Sequence, residues 1–187
     1  KCEWKVQEPN VWSYFALFTR VVGGNQVKQG SHPRQVLLKR RQKHFCGGTI
    51  VSAQNLLQYL PVTTGEHDLG LSENSEQTLP VKSVIQHSKF DLRTPMSTAL
   101  LKLDGSSVLP ACLPQLDERF EGGYICTVCG WGCLKENGLL PQVLYEVNLP
   151  ILNSRDRSRA RSSLKKPIRG DTVKWAGFPG GGRDACQ

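Results

Sequence analysis

QVLLKRRQKHFCGGTIVSA, residues 35–53, contains two short runs, QVLL at 35–38 and GTIVS at 48–52, apolar or alternating in pattern. Each has the length of a strand and falls short of a helix. The same signal returns at residues 79–85, 99–103 and 142–149, with clusters of Gly, Pro, Asn and Ser between the runs. Short runs punctuated at this spacing predict an all-β barrel or sandwich, and long helical periodicity is absent. A wetter opening segment, residues 1–20, reads as a leader or linker outside the core. A break at residues 114–123 separates a first β-rich half from a second.

The chain has 187 residues, 39 % of them hydrophobic and 21 % charged, enough to bury a core, so disorder and collagen-like repetition are excluded. No stretch has the length needed to cross a bilayer. The chain begins at Lys1 with no charged-then-apolar leader, which reads as an excerpt or a processed product. Lys and Arg number 24 against 16 Asp and Glu, a net charge of +8. The densest basic run is SRDRSRARSSLKKPIR, residues 154–169. Phosphate recognition would call for aromatic platforms or a known module beside it, and neither is there. A solvated loop or short surface helix is the expectation, with no nucleic-acid or membrane partner.

Seven cysteines suit an oxidising, extracellular compartment, and the odd count leaves at least one thiol without an internal partner. Cys126, Cys129 and Cys133 have CxxC-type spacing, but a structural zinc site takes four ligands and no fourth is placed to join them.

At RVVGG, residues 20–24, a basic residue precedes two β-branched apolar residues and two glycines. A zymogen offers such a sequence to an activating protease: a cut between Arg20 and Val21 frees an α-amino group, and the glycines let it fold inwards. Downstream follow HFCGGTI (44–50), GEHDL (65–69), ALLKL (99–103), ACLP (111–114), CGWG (129–132), AGFPGG (176–181) and DACQ (184–187). In this order and spacing, the set resembles the trypsin-like serine proteases from Arg20 onward. RVVGG, GEHDL and LPQVLYEVNLPILN (140–153) are most similar to the ovochymase and oviductin branch of that family. The resemblance implies two six-stranded antiparallel Greek-key β-barrels, the second truncated at Gln187. Residues 1–20 would be the propeptide and 21–187 an incomplete peptidase domain. It also implies a secreted endopeptidase with protein substrates, a preference for Lys or Arg, and an activating protease acting at Arg20.

The mechanism of that family needs a serine nucleophile, a histidine base and a carboxylate that orients the base, with backbone N–H groups aimed at the oxyanion. The family histidine follows the CGGTIVSA-type segment; here Ala53, Gln54, Asn55, Leu56 and Leu57 follow, with no histidine. The family aspartate precedes the ALLKL-type strand, where this chain has Ser97 and Thr98. The nucleophile belongs to a GDSGG motif after DACQ, and the sequence ends at Gln187. His32, His44, His67 and His87 lie in structural or loop contexts, and no GxSxG elbow is present. No catalytic residue is therefore assigned, and the chain is expected to be inactive. The alternatives are an active endopeptidase whose sequence is incomplete here, and a non-catalytic secreted binding module.

Other family positions are present. Asp184 matches the residue at the base of the pocket for Lys or Arg side chains; its other reading is an ordinary exposed acid. In GEHDLGLSENSEQ (65–77), Glu66, Glu73 and Glu76, with the carbonyls of Asp68 and Leu71, match the calcium loop of trypsin-like enzymes. Such a set of oxygens suits Ca²⁺; the other reading is a solvated acidic loop. Cys2 and Cys112 resemble the bridge that tethers the propeptide, whereas Cys46, Cys126 and Cys186 match half-cystines whose partners are missing. Arg34 stands where relatives carry an aromatic residue, and burial of an unpaired guanidinium there would be costly.

Overall fold

A computed structural model of the chain describes residues 13–16, 21–40, 43–50, 61–86, 99–103, 111–135, 138–162 and 174–182. Among them are nine strands: β1 (Ser13–Ala16), β2 (Asn25–Gln26), β3 (Gln35–Arg40), β4 (Lys43–Ile50), β5 (Pro61–Thr64), β6 (Gln77–Gln86), β7 (Ala99–Leu103), β8 (Ile125–Gly130) and β9 (Tyr145–Pro150). One helix follows, α1 (Ser154–Ser162). Two compact units divide the chain: Lys1–Leu17 with Lys28–Pro114, and Phe18–Val27 with Gln115–Gln187. The chain passes from the first unit to the second after Pro114.

The first unit is a closed antiparallel barrel in the order β1-β4-β3-β5-β6-β7. Closure removes the strand edges that an open sheet would expose. Its interior follows from side-chain alternation: Val36 and Leu38 on β3, Cys46 and Ile50 on β4, Val62 on β5 and Val81 on β6 form one buried cluster. Leu37 points to the opposite face of β3 and is fully buried as well. The β3–β4 register shifts after Leu38, which pairs with Cys46, so that Lys39 pairs with His44. Phe45 is the extra residue of this irregularity, and Lys39 begins a newly phased segment.

Two expectations change here. Residues 1–20 were expected outside the core, but Ser13–Ala16 pairs with β4 on one side and β7 on the other, closing the barrel. SYFA is short and rich in strand formers, and a gap between two strand edges gives its backbone groups partners that a leader in water would lack. Arg34 is half-buried and keeps part of its surface in solvent, so the desolvation penalty expected for it is not incurred in full.

In the second unit the strands form a three-stranded antiparallel sheet, β2-β9-β8, where the resemblance implies a second barrel. Val21, Val147 and Leu149 make its buried cluster, with Val128, Leu134, Tyr145 and Ala176 packed against it. Asn153 caps α1: its Oδ1 accepts from the Asp156 N–H at 2.9 Å, and its Nδ2 donates to Asp156 Oδ2 at 2.8 Å. The basic run therefore begins as a short surface helix, one of the two forms expected of it.

Candidate functional site

The β5–β6 connection, residues 65–76, gathers four acidic residues, Glu66, Asp68, Glu73 and Glu76, in one loop. β5 ends at Thr64, and Gly65 turns the chain with φ +71°, a left-handed conformation that side chains disfavour. A Cβ at Gly65 would also collide with the Ser75 carbonyl oxygen. Ser75 Oγ donates to the Gly65 carbonyl at 3.1 Å, so the two ends of the loop are tied together.

This turn sends Glu66 inward, where the residue is only 6 % exposed. Ligand oxygens of Glu66, Glu73 and Glu76 lie within 4.8 Å of one another. Local hydrogen bonds fix two of these carboxylates. Glu73 Oε2 accepts from the His67 N–H at 3.0 Å and its Oε1 from Gln29 Nε2 at 2.8 Å. Glu76 Oε1 accepts from the Glu73 N–H at 2.6 Å. Lys39 Nζ, on the re-phased end of β3, lies 3.0 Å from Glu66 Oε2. Glu66 Oε1 is buried and accepts no hydrogen bond among the described residues.

Desolvation pushes the Glu66 carboxyl above its ordinary range; Lys39 opposes this, and the charges of Glu76 and Glu73 add to it. Three carboxylates face one ammonium, which leaves an excess of negative charge in a half-buried setting. An all-oxygen donor set with no imidazole or thiolate suits a hard dication, and the flexible geometry of Ca²⁺ more than the strict octahedron of Mg²⁺. The unsatisfied Glu66 oxygen meets that requirement: a buried acceptor without a donor is what a cation would fill. Asp68 belongs to the same loop; its carbonyl accepts from the Leu71 N–H at 3.1 Å, and its Oδ1 accepts from the Gly70 N–H at 2.9 Å.

The remaining expected positions divide by unit. Val21 is fully buried, and its N–H donates to the Cys133 carbonyl at 2.8 Å. Arg20, Asp184 and Cys2 lie outside the described residues, as do residues 53–57 and Ser97 and Thr98 at the expected triad positions. Cys112 is disulfide-bonded. Cys46, Cys126, Cys129 and Cys133 are in the thiol form. Burial pushes the Cys46 and Cys129 thiols up to about 11. Lys39 and Gln29 were not anticipated at the acidic loop. They stand 27 and 44 residues from their partners, and no local pattern signals such contacts.

A six-stranded antiparallel barrel, an acidic loop between two of its strands and a buried Val21 after a basic residue define a chain of the trypsin type. The trypsin family profile matches residues 21–187, and the chain belongs to that family of serine proteases. It is 47 % identical over 205 residues to Ovochymase-2 of Mus musculus, a match covering 100 % of this chain and 34 % of that protein. It is 32 % identical over 183 residues to Serine protease 56 of Homo sapiens, covering 90 % of this chain and 30 % of the relative. With Coagulation factor IX of Cavia porcellus it shares 33 % identity over 192 residues, 91 % of this chain and 65 % of the relative. The chain thus spans about a third of the length of the first two relatives.

Proposed function

We propose that this chain is a secreted, calcium-binding trypsin-family domain that does not itself hydrolyse peptide bonds. The observation that carries the reading is internal to the sequence: residues 51–60, VSAQNLLQYL, contain no histidine, and Ser97 and Thr98 stand where the family aspartate precedes ALLKL. Without the imidazole no group takes the proton of an attacking hydroxyl, and without the carboxylate no group would orient one. Neither loss depends on where the sequence begins or ends.

Calcium binding is supported by the orphaned Glu66 oxygen and the three converging carboxylates. In this reading Glu66, Glu73 and Glu76 hold the ion, with the carbonyls of Asp68 and Leu71 as further ligands. The ion would neutralise the loop and brace the β5–β6 connection. Secretion is supported by the seven cysteines and the disulfide at Cys112, for which Cys2 is the proposed partner. No helix among the described residues is long and apolar enough to cross a membrane. A protease acting after Arg20 remains a proposed partner, and Asp184 the proposed trace of Lys or Arg preference.

The test is labelling of the secreted full-length protein by a fluorescent arginyl phosphonate, with turnover of an arginyl thioester measured beside it, before and after treatment with immobilised trypsin that is removed before either assay. No label and no turnover above the residual catalysis that a family scaffold without its triad retains, about 10³ to 10⁴ over water, are expected. Stoichiometric labelling would overturn the reading and establish an endopeptidase.

A further inference from the structure

The acidic loop is reached by a cation that belongs to the barrel wall. Lys39 comes from β3, not from the loop, and the register shift after Leu38 sets the phase of its strand position. Its ammonium lies 3.0 Å from Glu66 Oε2. The Glu66 side chain is almost wholly buried, whereas that of Lys39 keeps 30 % of its surface in water. The other oxygen of the same carboxylate is the orphan that faces no donor among the described residues. One carboxylate is therefore shared between a fixed internal cation and an open acceptor position.

We infer that Lys39 is a built-in competitor that sets the affinity of the loop for Ca²⁺, holding it weak; this rests on the calcium reading proposed above. Two physical effects act in the same direction. If the ammonium stays on Glu66 Oε2, it repels the incoming dication and draws electron density away from the shared carboxylate. If it swings out along its flexible stem to full hydration, the loss of the ion pair is charged to calcium binding. A unit charge beside a dication disfavours it by about tenfold even in a water-like dielectric, and by more where burial lowers the dielectric. Whenever no ion is bound, the same pairing would partly neutralise Glu66. The site then behaves as an exchange between two cations, one covalently tethered and one supplied by the medium.

The experiment is calorimetric titration of the secreted full-length protein with CaCl₂ at constant ionic strength, comparing wild type, Lys39→Gln and Lys39→Arg. Lys39→Gln is expected to bind about tenfold more tightly than wild type, while Lys39→Arg, which keeps the charge, stays close to wild type. Equal or weaker binding by Lys39→Gln, with wild type binding normally, overturns the role of Lys39 and leaves the calcium site standing. No calcium binding by any of the three overturns the calcium reading and the inference together. Should Lys39→Gln be unfolded without the ion, calcium-driven refolding followed by near-UV circular dichroism replaces the titration. Refolding at lower calcium than the wild-type dissociation constant is then the expected result, and no refolding at about 10 mM CaCl₂ overturns the inference.

Discussion

Replacing Gly65 with alanine isolates how the acidic loop is held. Gly65 adopts φ +71°, and an added Cβ would meet the Ser75 carbonyl on the opposite side of the loop. Gly30 offers a matched control: its φ is +77°, but a Cβ there would meet nothing within 4 Å. Both alanine variants carry the left-handed penalty, about 1–2 kcal/mol. Both also gain the same small benefit from a stiffer unfolded chain, about 0.4–1 kcal/mol, which cancels in the comparison. Only Gly65→Ala must also move Ser75, breaking the 3.1 Å hydrogen bond between its Oγ and the Gly65 carbonyl. That hydrogen bond contributes about 1 kcal/mol, and the displaced carboxylates add to the loss. Gly65→Ala is therefore expected to lower unfolding stability by at least about 1 kcal/mol more than Gly30→Ala, measured by urea denaturation. Its calcium titration should also weaken, while that of Gly30→Ala does not. Equal destabilisation of the two variants, with calcium binding intact in both, would refute the close approach of Gly65 to Ser75.

Burial raises the Cys46 and Cys129 thiols to about 11, so both should resist iodoacetamide at pH 8 in the folded protein and react on unfolding in urea; rapid native-state labelling of either, read by peptide mass spectrometry, contradicts this. His44 is shifted below its ordinary value by burial and then by the charge of Lys39. The unfolded chain therefore binds the proton more readily. His44 costs no stability above about pH 6.5, and stability falls as the pH drops from there through the lower folded value. His44→Gln should flatten that slope in urea titrations below about pH 6.5, and an unchanged slope counts against it. Asn153→Ala removes the cap of α1 and should cost about 1 kcal/mol in urea denaturation, whereas Ser154→Ala, beside the cap, should cost far less. Equal losses in the two variants would deny Asn153 that role.

The legible part of the fold was its apolar periodicity. ALLKL is a strand with the bounds the sequence predicts, and QVLL extends by only two residues, to Arg40. β5 was not anticipated because its code is polar. PVTT shows no apolar alternation, yet Thr63 and Thr64 are buried and bond across to β6 through Thr78 Oγ1 and the Gln77 carbonyl. A hydroxyl satisfied by a neighbouring strand is invisible to a hydrophobic pattern. β8, ICTVCG, is hard to read from alternation because two of its six residues are cysteines, whose placement follows bonding as much as polarity. At the acidic loop the three glutamates were legible because they share one short segment. Lys39 was not, because its approach depends on strand pairing and on a register shift that no local sequence encodes.

Strand β1 bears on what proteolysis would release. Its residues are hydrogen-bonded on both sides, to β4 and to β7, and Cys112 of the same unit carries a disulfide. A nick after Arg20 would not set this segment adrift. The severed peptide would stay woven into the barrel wall as a complementing fragment, and the cut protein would migrate intact in a native gel. Pulling the fragment out would open the cylinder along a seam and bare two edges to any passing strand.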